Sequence, residues 1–137
     1  MKKVSFASDY QEGAHEAIIK RLVETNLMQT DGYGMDEFCQ SAREKIRDAC
    51  QCPSAKVDFL IGGTQTNATV IDALLRSYQG VIAPDSGHIS VHEAGAIELG
   101  GHKVLQLPHQ LGKISAEDIQ GCLENFQHDG NRDHMVM

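Results

Sequence analysis

The sequence predicts an α/β fold: a partial, open, mainly parallel sheet with flanking helices. Three observations predict it. From Val57 onward, short apolar runs alternate with helical ones, as in βαβ units with right-handed crossovers. Phe59, Leu60 and Ile61 are apolar at consecutive positions, as in parallel strands covered on both faces. Between that run and the next helix stands Gly62-Gly63-Thr64-Gln65-Thr66-Asn67, a strand, a tight turn and a helix start. Residues 1–56 read as an N-terminal helical segment. Residues 57–137 read as an incomplete α/β domain.

The elements follow in order. Val4 to Tyr10 is extended or looped, with Ser8-Asp9 as a polar turn or cap. Ala14 to Asn26 is a helix, its apolar residues Ala14, Ala17, Ile18 and Leu22 at helical period. Gln29 to Gly34 is a loop of turn formers. Tyr33, between two glycines, faces a ligand or another subunit, or is a plain surface tyrosine. Asp36 to Cys50 is a second helix, with Phe38, Ala42, Ile46 and Ala49 on one face. Val57 to Ile61 is a buried strand, and Thr64 to Tyr78 a largely buried helix. Gly80 to Ala83 is a short strand, and Pro84 to His88 the loop at its C-terminal end. A helix runs from about Ser90 to Leu99, ended by Gly100-Gly101. Lys103 to Leu107 is a strand. Ser115 to Phe126 is a helix that opens on a Ser115/Asp118 capping box, with Ile119, Cys122, Leu123 and Phe126 at helical spacing. Met135-Val136-Met137 begins another strand.

Composition excludes some functions. The net charge of -7 over 137 residues, with no basic stripe, argues against nucleic acid as a partner. No apolar run approaches the ~20 residues of a membrane helix, and no signal peptide is visible. Cys39, Cys50, Cys52 and Cys122 match no zinc pattern, and no histidines share metal-ligand spacing, so no metal site is expected. Reduced thiols in a cytoplasmic protein follow.

Two stretches carry chemistry. At Gly62 to Thr64, glycines permit close backbone approach, and the first N–H groups of a helix lack internal partners. The helix dipole adds positive character there. The turn therefore suits a phosphate, with Thr64 and Thr66 as further hydroxyl donors. The same residues also fit an ordinary glycine turn capped by Thr or Asn. The turn is neither a P-loop nor GxGxxG. In the second stretch, Ser86-Gly87-His88-Ile89-Ser90-Val91-His92-Glu93, His88 sits between a strand end and a helix start. An imidazole there can stack on a planar ligand or transfer protons, or simply bond the backbone. His92 reads as a surface helix residue. Both stretches lie at strand C-terminal ends, where ligands of open parallel sheets collect. Asp9, Asp36 and Glu37 are carboxylates in or beside loops that the sequence does not pair.

Four segments in order, Phe-Ala-Ser8-Asp9-Tyr, Gly32-Tyr33-Gly34-Met-Asp36-Glu37, Gly62-Gly63-Thr64-Gln65-Thr66-Asn67 and Gly87-His88-Ile-Ser-Val-His-Glu93-Ala-Gly95, resemble the N-terminal part of the threonine aldolase family. The resemblance covers residues 4 to 137. It implies the large domain of a fold type I enzyme with pyridoxal 5'-phosphate as cofactor. It implies that Gly63 and Thr64 hold the cofactor phosphate and that His88 stacks on the ring and assists proton transfer. It further implies that Ser8 holds the substrate carboxylate and that Tyr33 lies near an active site at a subunit boundary. The implied activity cleaves Cα–Cβ of threonine-like β-hydroxy amino acids to glycine and an aldehyde. The implied assembly is a homodimer or homotetramer. A related β-eliminating lyase, an aminotransferase-like enzyme and a non-catalytic fragment that associates with another chain remain the alternatives. The family's Schiff-base lysine has no counterpart among Lys2, Lys3, Lys20, Lys45, Lys56, Lys103 and Lys113. The expectation is therefore a truncated chain, inactive alone.

Overall fold

A computed structural model describes residues 5–8, 10–128 and 135–136. Val4, Asp9 and Met137 lie outside them, as does the side chain of Phe126, so the expectations made there are not addressed. The chain divides into two compact units, Met1–Val57 and Asp58–Met137, and each is described on its own.

The first unit carries α1 (Glu16–Thr25) and α2 (Glu37–Ala49). Helix α1 starts where the His15 ring accepts a hydrogen bond from the Ala17 N–H. Its apolar residues remain open, with Ile18, Leu22 and Val23 at 54%, 59% and 72% exposure. The Arg21 guanidinium stands over the Phe38 ring of α2, 5.7 Å from its centroid. Helix α2 is capped by Asp36, whose Oδ1 accepts from the Cys39 N–H at 2.9 Å. Arg43 and Arg47, four residues apart on α2, share a face. Arg43 Nη1 donates to the Gly34 carbonyl at 2.7 Å, and its Nε to that of Val57 at 3.1 Å. Arg47 Nε donates to the Ala55 carbonyl at 2.8 Å.

The second unit is built on a parallel sheet of order β2-β1-β3. Its strands are β1 (Gln79–Pro84), β2 (Val104–Leu107) and β3 (Met135–Val136), and its helices are α3 (Gly63–Leu74), α4 (His88–Val91), α5 (Ala96–Leu99) and α6 (Ala116–His128). Val81 to Pro84 pair with Val104 to Leu107, and Gln79 and Gly80 pair with Met135 and Val136. The core is small: Ala83, Ile97 and Val104, with Ala68, Ile71, Val81 and Ile89 packed against them. A Cβ on Gly80 would stand 2.7 Å from the Lys103 carbonyl, so this crossing of backbones requires glycine. The buried His102 ring bonds the Gln79 carbonyl through Nδ1 and Asp72 of α3 through Nε2. It thereby ties helix to sheet. The Ser115/Asp118 capping box forms as expected, with both reciprocal bonds present.

Three expectations are corrected. Residues 57–61 are not a buried strand: they join no sheet, and Phe59, Leu60 and Ile61 are 48%, 41% and 96% exposed. A strand exists only where a neighbour pairs with it, and no described segment pairs with this one. Helix α3 ends at Leu74 rather than Tyr78, because Leu75 turns extended. It holds no buried residue, since only Ala68 and Ile71 meet the core. The helix expected over Ser90 to Leu99 is two short helices. Ala94 (φ 49°) and Gly95 (φ 76°) stand between them in the left-handed region, which ends a right-handed helix.

The carboxyls of Asp36 and Asp118 sit below their ordinary value. For Asp36 the causes are hydrogen bonds from the Cys39 thiol and then its backbone N–H. For Asp118 they are the bonds from the Ser115 backbone and then its side chain. A depressed folded pKa contributes stability above the ordinary value and loses it as pH falls. Helicity measured by circular dichroism is therefore expected to decline on acidification through and below 3.8. The variant Asp36→Asn, which caps without titrating, should show a smaller decline. An identical acid profile for both proteins would refute the role of the cap.

Candidate functional site

Helix α3 begins without a side-chain cap at Gly62, whose φ of -171° is ordinary extended backbone. The first intrahelical bond runs from the Thr66 N–H to the Gly62 carbonyl. The N–H groups of Gly63, Thr64 and Gln65 thus have no helical partner. A Cβ on Gly62 or Gly63 would meet nothing within 4 Å. These glycines relieve no internal clash, and the space a Cβ would fill is open among the described residues. The Thr66 hydroxyl is not available as expected, because it donates to the Gly62 carbonyl at 2.9 Å. Gln65 Oε1 accepts from the Ile61 N–H at 2.9 Å and fixes the approach to the turn.

His88 enters through a tight turn after β1. The Gly87 N–H donates to the Pro84 carbonyl at 2.8 Å, and a Cβ on Gly87 would stand 3.0 Å from that oxygen. The Ser90 hydroxyl donates to the same carbonyl. His88 then opens α4. Its Nδ1 lies 2.7 Å from Glu93 Oε1, and its side chain is 62% exposed against 0% for that of Glu93. The same Oε1 accepts from Asn67 Nδ2 at 2.6 Å. Asn67 is four residues into α3, about 6 Å along the axis from Gly63. One buried carboxylate therefore couples the imidazole to the first turns of α3. The His92 ring is 5.4 Å from that of His88, tilted by 49°.

Thus Gly63, Thr64 and His88 belong to one constellation of the second unit, with Asn67 and Glu93 as its interior. Neither Asn67 nor Glu93 was assigned a role from the sequence. The available signals were the Asn at the end of the glycine-threonine run and the lone acid five residues after His88. Ser8 and Tyr33 belong to the first unit. The Ser8 hydroxyl accepts from the Tyr10 N–H at 3.3 Å. Tyr33 takes φ 59° beside Gly34 at φ 72° and is fully exposed. Asp36 is a helix cap rather than an acid–base group.

The donor set fits pyridoxal 5'-phosphate. Unpartnered N–H groups and the Thr64 hydroxyl suit its phosphate, the glycines leave room, and the exposed His88 ring suits its planar ring. Among the described residues no group of His, Cys, Asp or Glu could hold a metal ion. No helix among them is long and apolar enough to cross a membrane.

The chain is 29% identical over 117 residues to the low-specificity L-threonine aldolase of Pseudomonas aeruginosa, and 27% identical to that of a Pseudomonas species. Each alignment covers 84% of this chain and 34% of the relative. A solved structure of Leishmania major threonine aldolase matches with a TM-score of 0.83 and 42% identity, over 85% of this chain and 34% of that one. The chain thus spans about a third of the length of these relatives. Residues 5–136 match the model of the beta-eliminating lyases, and the chain belongs to that family.

Proposed function

We propose that this chain is the cofactor-phosphate portion of a pyridoxal-phosphate-dependent lyase that cleaves Cα–Cβ of threonine-like β-hydroxy amino acids to glycine and an aldehyde. The observation that carries the reading is the open, uncapped start of α3 coupled through Asn67 and Glu93 to His88. The aldolase relatives support the choice of reaction. Pyridoxal phosphate, when bound, supplies an electron sink for the carbon whose bond is cleaved. The chain's own residues bind and orient. The Gly63 and Thr64 N–H groups and the Thr64 hydroxyl hold the phosphate. The His88 ring stacks on the cofactor and handles a proton at Nε2. Ser8 serves the substrate carboxylate, and Tyr33 serves an active site at a subunit boundary.

On this reading residues 1–137 do not contain the Schiff-base lysine. Lys103 precedes β2 and so stands at the opposite end of the parallel sheet from His88. The chain is then inactive alone. Incubation with pyridoxal phosphate, borohydride reduction and peptide mapping should give only weak, scattered lysine adducts. A single lysine modified at high occupancy would overturn this part of the proposal.

Gly63→Ala separates ligand binding from folding. Alanine is the better helix former by about 1 kcal/mol, and its Cβ meets nothing in the chain. Thermal stability should hold or rise, while affinity for pyridoxal phosphate, followed by absorbance, should fall about tenfold, or about 1.4 kcal/mol. Unchanged affinity would remove Gly63 from the phosphate site.

The open faces of α1 and the exposed Tyr33 support a homodimer or homotetramer. Large exposed apolar patches mark association surfaces. Sedimentation velocity should show a species of at least twice the chain mass of 15.0 kDa, and a strict monomer at micromolar concentration would contradict it.

A further inference from the structure

We infer that Glu93 is a positioning residue that fixes the proton of neutral His88 on Nδ1 and thereby presents Nε2 unprotonated to the ligand of the α3 turn. The purpose of this device rests on the pyridoxal-phosphate reading; its geometry does not.

The Glu93 side chain is fully buried, and a buried carboxylate needs donors to offset its lost hydration. It has few. Oε1 accepts from Asn67 Nδ2 at 2.6 Å, and Oε2 is buried with no hydrogen-bond partner among the described residues. The remaining polar contact is His88 Nδ1, 2.7 Å from Oε1. An unprotonated Nδ1 at that distance would set one lone pair against another. A protonated Nδ1 donates to the carboxylate and supplies the second bond it requires. The tautomer of a neutral imidazole is set by the hydrogen bond of one of its nitrogens, so Nε2 becomes the acceptor. A carboxylate behind an imidazole also holds the ring's orientation and stabilises the charge that forms if Nε2 takes a proton.

The ring is well placed for this. Its side chain is 62% exposed while its anchor is 0% exposed, so the nitrogen away from Glu93 is the one a ligand can reach. The His92 ring lies 5.4 Å away between centroids. Asn67 adds a second constraint. Its amide donates to Oε1 from α3, so the carboxylate cannot rotate away from His88 without breaking the link to the helix that forms the phosphate turn.

The test is two-bond proton–nitrogen correlation spectroscopy of the whole chain, labelled with nitrogen-15 in its histidine rings, without cofactor. The pH is kept high enough that the rings are neutral. His88→Asn identifies the His88 signals by their loss. Wild-type His88 should show a protonated Nδ1 and a bare Nε2. Glu93→Leu, which keeps the bulk and removes the acceptor, should shift His88 toward the Nε2–H form, and Glu93→Asp should restore part of the wild-type pattern. A wild-type His88 protonated at Nε2 would overturn the inference, as would a Glu93→Leu spectrum identical to wild type. If Glu93→Leu does not fold, the wild-type spectrum decides alone: a bare Nε2 supports the inference and a protonated Nε2 overturns it. If the wild-type pattern is found but pyridoxal phosphate does not bind, the cofactor reading falls while the positioning role stands.

Discussion

The Glu93 carboxylate is the constraint on which the described site depends. It is a buried carboxylate, and such a group persists only where donors meet it. Those donors come from two elements far apart in sequence, Asn67 on α3 and His88 on α4. Satisfying one oxygen therefore fixes the turn after β1 against the helix whose N-terminus faces outward. The core around it, Ala83, Ile97 and Val104, is too small to hold the two helix starts in register by packing alone. The His102 ring makes a separate polar link, between α3 and the sheet. Two polar links and a few apolar side chains thus define the geometry of this unit.

The first unit follows a similar logic with arginine in place of a buried acid. Arg43 and Arg47 reach three backbone carbonyls, at Gly34, Val57 and Ala55. Guanidinium groups suit this task, because each carries several donors in a rigid fork. The bond to Gly34 stabilises a loop in which Tyr33, a residue with a bulky side chain, adopts a left-handed backbone. Such a conformation costs about 1–2 kcal/mol and persists where the surroundings impose it. Its consequence is a tyrosine held clear of its own unit, which is the presentation that a shared active site would require.

Much of the fold was legible in the sequence, and the legible parts are local. Asp36 before a helical period, Ser115 with Asp118, and Gly100-Gly101 after Leu99 each encode a helix end within a few residues. The strands at β1 and β2 were legible as short apolar runs between turn formers. The glycine turn was legible as a helix start and His88 as a ring just after a strand end, and the structure couples them through one carboxylate. What failed was non-local. Val57 to Ile61 has the composition of a buried strand, but burial and pairing come from neighbours that composition does not supply. Glu93 and Asn67 are 26 residues apart, and no pattern joins them. The arginine contacts span 9 and 14 residues and have no short-range signal.

The break between α4 and α5 shows why the misread helix matters to the chemistry. On one continuous helix, residues five apart are separated by about 140° around the axis. His88 and Glu93 would then point to different faces, and neighbours on one face would be three or four apart. The chain avoids this by leaving the helix at His92, whose φ is -121°; Ala94 and Gly95 then enter the left-handed region and separate α4 from α5. Gly95 takes that conformation at little cost, whereas Ala94 does not. The strained alanine follows directly after the buried acid, which is held inward by its bonds to Asn67 and His88. A sequence that obeyed helical propensity over this stretch would have a better helix and no carboxylate behind the imidazole.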